Sequence, residues 1–144
     1  MNRRDLLLAV LAASEGRPYT PVQIQKALFL ISQNAGHVVD EGDGFNFRPY
    51  DYGPFDSAVY VESERLMAAG EAKIIPSGFG SWNMYAASDA GVVRGRQLLN
   101  RLPSETRDYI LGVCEWVRRL SFNSLVKSIY DAYPEMRARS IFRG

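Results

Sequence analysis

Cysteine and histidine are almost missing from this 144-residue chain, which carries only Cys114 and His37. A lone thiol excludes an intramolecular disulfide and any cysteine-rich zinc centre. A lone imidazole leaves Ser–His or Cys–His activation dependent on one loop residue, and nothing around His37 resembles a nucleophile elbow. There is no Walker loop, no GxGxxG after a strand and no HExxH, so no reaction is identified. Charge of one sign is also lacking. The formal net charge is +1, which gives no general pull toward nucleic acid or an anionic membrane. Lysine is scarce, with Lys26, Lys73 and Lys127 beside fourteen arginines. Arginine's planar fork suits ion pairs and interfaces, although a GC-rich genome would leave the same imbalance. Long apolar runs are absent as well. Leu6 to Ala13 follows Arg3 and Arg4 like a signal-peptide start, but it is short and meets Ser14-Glu15-Gly16-Arg17 with no Ala-x-Ala site. The expectation is a soluble cytoplasmic protein.

What is present is ordinary globular material, 47% hydrophobic and 23% charged, enough for one domain or one domain with a helical extension. Asp5 is expected to cap a helix over about 5–14 with Leu7, Val10 and Leu11 on one face, closed by Gly16. Thr20-Pro21-Val22-Gln23 is a capping-box start with proline at the first helical position. Ile24, Ala27, Leu28 and Ile31 follow at helical spacing, and Gly36 is the stop. Asp40 to Gly44 reads as a polar turn, because an EF-hand needs further oxygen ligands that Phe45, Phe47 and Pro49 do not supply. Phe45 to Arg48 alternates as a short strand.

The organising stretch is 49–75: an aromatic turn Tyr50-Asp51-Tyr52, a helix entered at Gly53-Pro54 and stopped at Gly70, then a strand. Phe55, Val59, Ser63, Leu66 and Met67 form its expected inward stripe. Asp56, Tyr60 and Glu64 would share another face at i, i+4 and i+8, with Glu62 nearby. Ala72 to Ile75 and Trp82 to Tyr85 alternate as a hairpin around Pro76 to Ser81. Ser88 opens a helix to about Asn100 with Val92, Leu98, Leu99 and Leu102 inward. Gly91 and Gly95, four apart in that helix, permit a close neighbour at about 1 kcal/mol each relative to alanine. Pro103-Ser104-Glu105 starts a fifth helix with an Ile110, Val113, Val117, Leu120 stripe, where Cys114 is an inert buried thiol. Ser121 caps a sixth, carrying Leu125, Ile129 and Tyr133 to Pro134. The expected fold class is α+β and mostly helical: a winged-helix-like domain over 1–102 with a hairpin wing, and a C-terminal helical extension over 103–144.

Winged helices often bind DNA, but duplex affinity comes largely from neutralised phosphates. The helix that would enter a groove instead carries Asp56, Glu62 and Glu64 against Arg65, and the hairpin loop has no cation. DNA contact would fall to Arg94, Arg101, Arg118, Arg119, Arg137, Arg139 and Arg143, each of which reads equally well as a solvated surface arginine.

Pro21-Val-Gln-Ile-Gln-Lys-Ala-Leu-Phe-Leu30 resembles the "lKLQKLLYF" opening of the Panacea domain family, found in phage- and toxin–antitoxin-associated proteins. Tyr52-Gly53-Pro54 with Val59-Tyr60 is similar to its "yGPv…vY" segment, and Tyr85 with Ser88-Asp89-Ala90-Gly91 to its "Y.lT..G" step. The match covers about residues 1–100. Ser121 to Met136 resembles the "sl.elv..iY..YPe" ending of a wider set of small winged-helix proteins. The resemblance implies a non-enzymatic protein-binding module, antitoxin-like or adaptor-like, with no catalytic residues, cofactor or metal. Tyr50, Tyr52, Asp56, Tyr60 and Glu64 are the expected partner surface, mixed aromatic and acidic, suited to a basic protein such as a toxin or regulatory target. The alternative is a DNA-binding regulator working through the arginines. The fifth helix's stripe would also serve a homodimer, and no membrane contact is expected.

Overall fold

A computed structural model describes residues 1–78 and 80–144. Its architecture is α+β, with helices α1 (Arg3–Ala13), α2 (Pro21–Asn34), α3 (Ala58–Ala68), α4 (Asp89–Asn100), α5 (Ser104–Arg119) and α6 (Phe122–Ala132). Two antiparallel hairpins interrupt them, β1 (Arg48–Tyr50) with β2 (Gly53–Phe55) and β3 (Ala72–Pro76) with β4 (Asn83–Ala87). Short 3-10 turns follow α2 and α6. No helix among the described residues is long and apolar enough to cross a membrane.

α1 is the axis of the core. Leu6 to Leu11 are all completely buried, so the helix is enclosed on every side and not along a single stripe, as expected of a helix apolar all round. Its cap is Asn2, not Asp5: the Asn2 side chain accepts from the Asp5 amide at 2.8 Å. Asp5 is drawn outward to Arg94 of α4, 2.8 Å away. α4 lies tightly against α1 because Gly95 has no side chain; a Cβ there would come 2.3 Å from Ala12 Cβ. Gly91 is tighter still, with a Cβ position only 1.9 Å from the Glu71 carbonyl oxygen. Both glycines have the packing reason their spacing implied.

α2 forms the capping box written in Thr20 to Gln23: the Thr20 hydroxyl accepts from the Gln23 amide, and Gln23 Oε1 accepts from the Thr20 amide. It stops at Asn34, just before Gly36. Ile110 and Val117 of α5, and Leu125 and Ile129 of α6, belong to the same buried cluster as α1 and α2. The core therefore runs without a break from the first helix to the last.

The stretch 45–58 departs from expectation twice. Phe45 and Phe47 are not in a strand; they lie half-buried, with Phe47 edge-on to Phe29 of α2 at 5.7 Å. The strand forms three residues later because Arg48, Pro49 and Tyr50 find partners in Phe55, Pro54 and Gly53. Gly53–Pro54 consequently lies in a strand and does not open a helix. Gly53 has φ +104°, a left-handed value that favours glycine and cannot begin a right-handed helix. α3 starts at Ala58, where Asp56 Oδ1 accepts from the Ala58 amide at 2.9 Å.

Along α3 the inward set is Val59, Glu62, Ser63 and Leu66, while Met67 stands in solvent. Glu62 is the surprise, because a carboxylate only 4% exposed needs compensation. Arg3 Nε and Arg65 Nη1 donate to it at 3.0 and 3.1 Å, with Arg4 at 3.5 Å. Burial alone would raise its pKa, but these hydrogen bonds and charges outweigh burial and hold it below the usual range. α3 leads through Gly70 into β3, and β4 also bridges Tyr19, whose amide and carbonyl pair with those of Tyr85 at 2.7 and 2.9 Å.

Candidate functional site

The β1–β2 turn gathers aromatic side chains because its two-residue link puts Tyr50 opposite Gly53, leaving Tyr50 free to lie on Phe55. Those rings stack at 4.8 Å. Phe55 meets Tyr60 at 5.8 Å, and Tyr60 stacks on Tyr85 of β4 at 5.4 Å. On the other side of the turn Tyr52 meets Phe122 of α6 edge-on at 5.0 Å. Between the turn and α2 is a cleft of about 190 Å³ bounded by Lys26, Tyr50, Tyr52, Phe55 and Tyr60. A wider groove of about 550 Å³ adjoins it, walled by Trp82, Leu120, Phe122 and Leu125. Pro21, Val22 and Tyr52 line both, so the two lie side by side and together make up the aromatic channel referred to below. Tyr50, Tyr52, Trp82 and Phe122 are 50%, 37%, 44% and 44% exposed along its rim.

Of the expected surface, the structure brings Tyr50, Tyr52 and Tyr60 together and separates the acids. Asp56 is not on α3. Its Oδ2 accepts from the Asn46 amide at 2.7 Å and its Oδ1 from Ala58, while its own amide and carbonyl pair with the Gln25 side chain at 3.0 Å. It is a clasp between loop, α2 and α3, so the i, i+4, i+8 acidic face does not form. Glu64 stands in solvent on α3. Tyr60 is partly buried, and burial raises its pKa. The phenol of Tyr85 is raised too, by burial first and then by Tyr60 and Glu64.

Sequence reading missed Lys26, Trp82 and Phe122. Lys26 is 3% exposed on α2 and, among the described residues, donates only to the Pro54 carbonyl, at 3.2 Å. Burial pushes its pKa down to about 7. The one available signal was that α2 is apolar on too many sides, Phe29 included, to leave Lys26 a solvent face. Trp82 and Phe122 reach the channel only through tertiary folding.

The arginines are largely engaged elsewhere. Arg94 bridges Asp5 and Glu71, Arg119 lies 3.8 Å from Glu115, and the guanidinium groups of Arg118 and Arg137 sit over the Tyr19 and Tyr130 rings. Arg101 and Arg139 are exposed. Arg118 Nε is nevertheless buried without a partner among the described residues, beside a polar cleft of about 450 Å³ that includes Arg17 and Arg119. His37 is exposed in the 3-10 turn after α2. Cys114 is enclosed, and burial pushes its thiol up to about 12. Among the described residues no three His, Cys, Asp or Glu side chains converge as a metal site. The Asp40–Gly44 loop instead meets the start of α1, where Asp43 accepts from the Arg3 amide at 3.3 Å.

No protein-family model matches the chain, and neither a curated protein nor a solved structure matches it significantly.

Proposed function

We propose that the chain is a non-enzymatic protein-interaction module, antitoxin-like or adaptor-like, built on a winged-helix core. Support for that core is the order of elements: α1, the isolated bridge at Tyr19, α2, the inserted β1–β2 hairpin, α3, then the β3–β4 hairpin, with Tyr19 pairing onto β4. The observation that carries the functional reading is the aromatic channel. Four large rings stand a third to a half exposed along two adjoining, mainly apolar clefts, and aromatic side chains are the usual anchors of a protein interface. Of the expected acids only Glu64 faces solvent, so the surface attracts by ring burial more than by opposing a basic partner.

The test is affinity purification from cells that make the chain, with Tyr50→Ala/Tyr52→Ala as the paired variant. Both rings are substantially exposed, so their loss leaves the fold intact. A protein enriched by the wild type and lost by the variant supports the channel; equal recovery rejects it.

A second reading, DNA binding through the arginines, is favoured by one observation, the unpartnered Nε of Arg118 beside Arg17 and Arg119. Tight duplex binding that collapses across a salt series, and is lost in Arg118→Ala, would support it over the first.

A further inference from the structure

A lysine is almost never fully buried without a counter-charge, and Lys26 has none. Among the described residues no carboxylate lies within ion-pairing distance of it. An ammonium offers three donors, and one is used, on Pro54. The turn is shaped around this group: a Cβ at Gly53 would lie 3.5 Å from Lys26 Cε and 3.7 Å from Nζ. The ring edge of Tyr130 comes 3.4 Å from the same point, and the Tyr130 hydroxyl is buried with no partner among the described residues. The Arg137 guanidinium lies 5.0 Å from the Tyr130 ring centroid, adding a second positive charge nearby. Among the described residues the acid in the cleft's lining is Asp51, and it makes no ion pair with Lys26. Tyr50, Phe55 and Tyr60 supply aromatic walls to the same cleft.

We propose that the cleft at Lys26 is a binding site for a single carboxylate carried on an apolar body, with the ammonium as its anchor. This rests on the channel being the interaction surface and supplies the chemistry of what the channel takes. Lys26 and Arg137 set against Asp51 leave one net positive charge, which favours a carboxylate over a phosphate dianion. The cleft holds about 190 Å³, short of the roughly 300 Å³ at which drug-sized ligand sites begin, so it admits one side chain or a small acid. The adjoining groove continues along apolar walls and leaves room for the rest of a longer ligand. Bringing a carboxylate to a desolvated lysine favours its charged form, so binding near neutral pH takes up a proton.

Calorimetric titration with phenylacetate and phenylacetamide, at pH 7 in two buffers of different ionisation heat, tests this. Phenylacetate should bind at least tenfold more tightly than the amide, with a fraction of a proton taken up per site. Lys26→Met should abolish both the preference and the uptake while still unfolding cooperatively. Equal binding of acid and amide, unchanged acid binding by the variant, or no binding of phenylacetate would overturn the proposal.

Two peptide arms distinguish the source of the carboxylate. An apolar hexapeptide with a free C-terminus that binds tenfold more tightly than phenylacetate assigns the site to a partner segment. If it binds no better, the site takes a free small acid. Should phenylacetate fail while Tyr50→Ala/Tyr52→Ala still abolishes partner capture, the anchor is wrong and the interaction surface stands.

Discussion

Replacing Gly91 with alanine puts a methyl group where there is no room for one. The new Cβ would meet the Glu71 carbonyl oxygen at 1.9 Å, its carbon at 2.9 Å and Glu71 Cα at 3.3 Å. An ordinary carbon–oxygen approach is about 3.3 Å, so α4 or the start of β3 must move by more than 1 Å. All three atoms are backbone and no rotamer change relieves the contact. The same Glu71 oxygen accepts from the Ser88 amide at 3.1 Å, and the Ser88 hydroxyl donates to Gly70 at 2.7 Å, so movement also loosens the α4 cap. Overpacking costs about 1–3 kcal/mol and a weakened hydrogen bond about 1 kcal/mol. Better helix propensity returns at most about 1 kcal/mol. A net loss of about 2 kcal/mol corresponds to a melting temperature lower by roughly 4–10 °C for a domain of this size. Gly112→Ala is the matched control: nothing lies within 4 Å of its Cβ position in α5, so propensity alone acts and it should melt slightly above the wild type. Calorimetry of the two variants decides. A Gly91→Ala melt equal to that of Gly112→Ala would refute the reasoning.

Lys26 and Glu62 both make stability rise with pH, in different windows. The folded pKa of Lys26, about 7, is below its unfolded value of 10.5, so stability from this group rises with pH across that window, by at most about 1.4 kcal/mol per pH unit. Lys26→Met should therefore stabilise most at pH 6 and least near pH 10 in urea titrations, and a gain flat with pH would count against it. The depressed carboxylate of Glu62 contributes stability above its unfolded pKa that is lost as pH falls through the folded value. Glu62→Gln should cost about 1–3 kcal/mol at pH 7 and less at pH 3 by the same measurement. Cys114, enclosed and with its thiol raised, should resist a thiol reagent such as dithionitrobenzoate at pH 8 and react stoichiometrically in denaturant; prompt native labelling would contradict its burial.

The helices were legible where local chemistry fixes them. Thr20-Pro21-Val22-Gln23, Ser88 and Ser121 carry their caps in side chains one to three residues from the helix start, and each cap forms. Gly91 and Gly95 gave away a close packing partner through spacing alone. The stretch 45–58 was not legible because its outcome depends on distant groups. Gly53-Pro54 has the local look of a helix start, but pairing of β1 with β2 and the Gln25 side chain's hold on Asp56 override it. Glu62 looked like surface because its three arginines come from two separate helices, Arg3 and Arg4 from α1 and Arg65 from its own. The three tyrosines of the candidate site were readable as a cluster, whereas Trp82, Phe122 and Lys26 join it from elements up to a hundred residues apart.

The last residues of the chain reach back to the aromatic turn. The Ile141 amide donates to the Asp51 carbonyl at 2.9 Å, the Ser140 hydroxyl donates to the same oxygen at 3.2 Å, and the Phe142 ring lies 6.2 Å from Phe122 and 6.1 Å from Tyr130. The tail is thus a tether on the very loop that presents Tyr50 and Tyr52. Proteolytic clipping at exposed Arg139, or a bulky fusion that tugs on these residues, would slacken the tyrosine loop and uncover Phe122 and Tyr130 of α6.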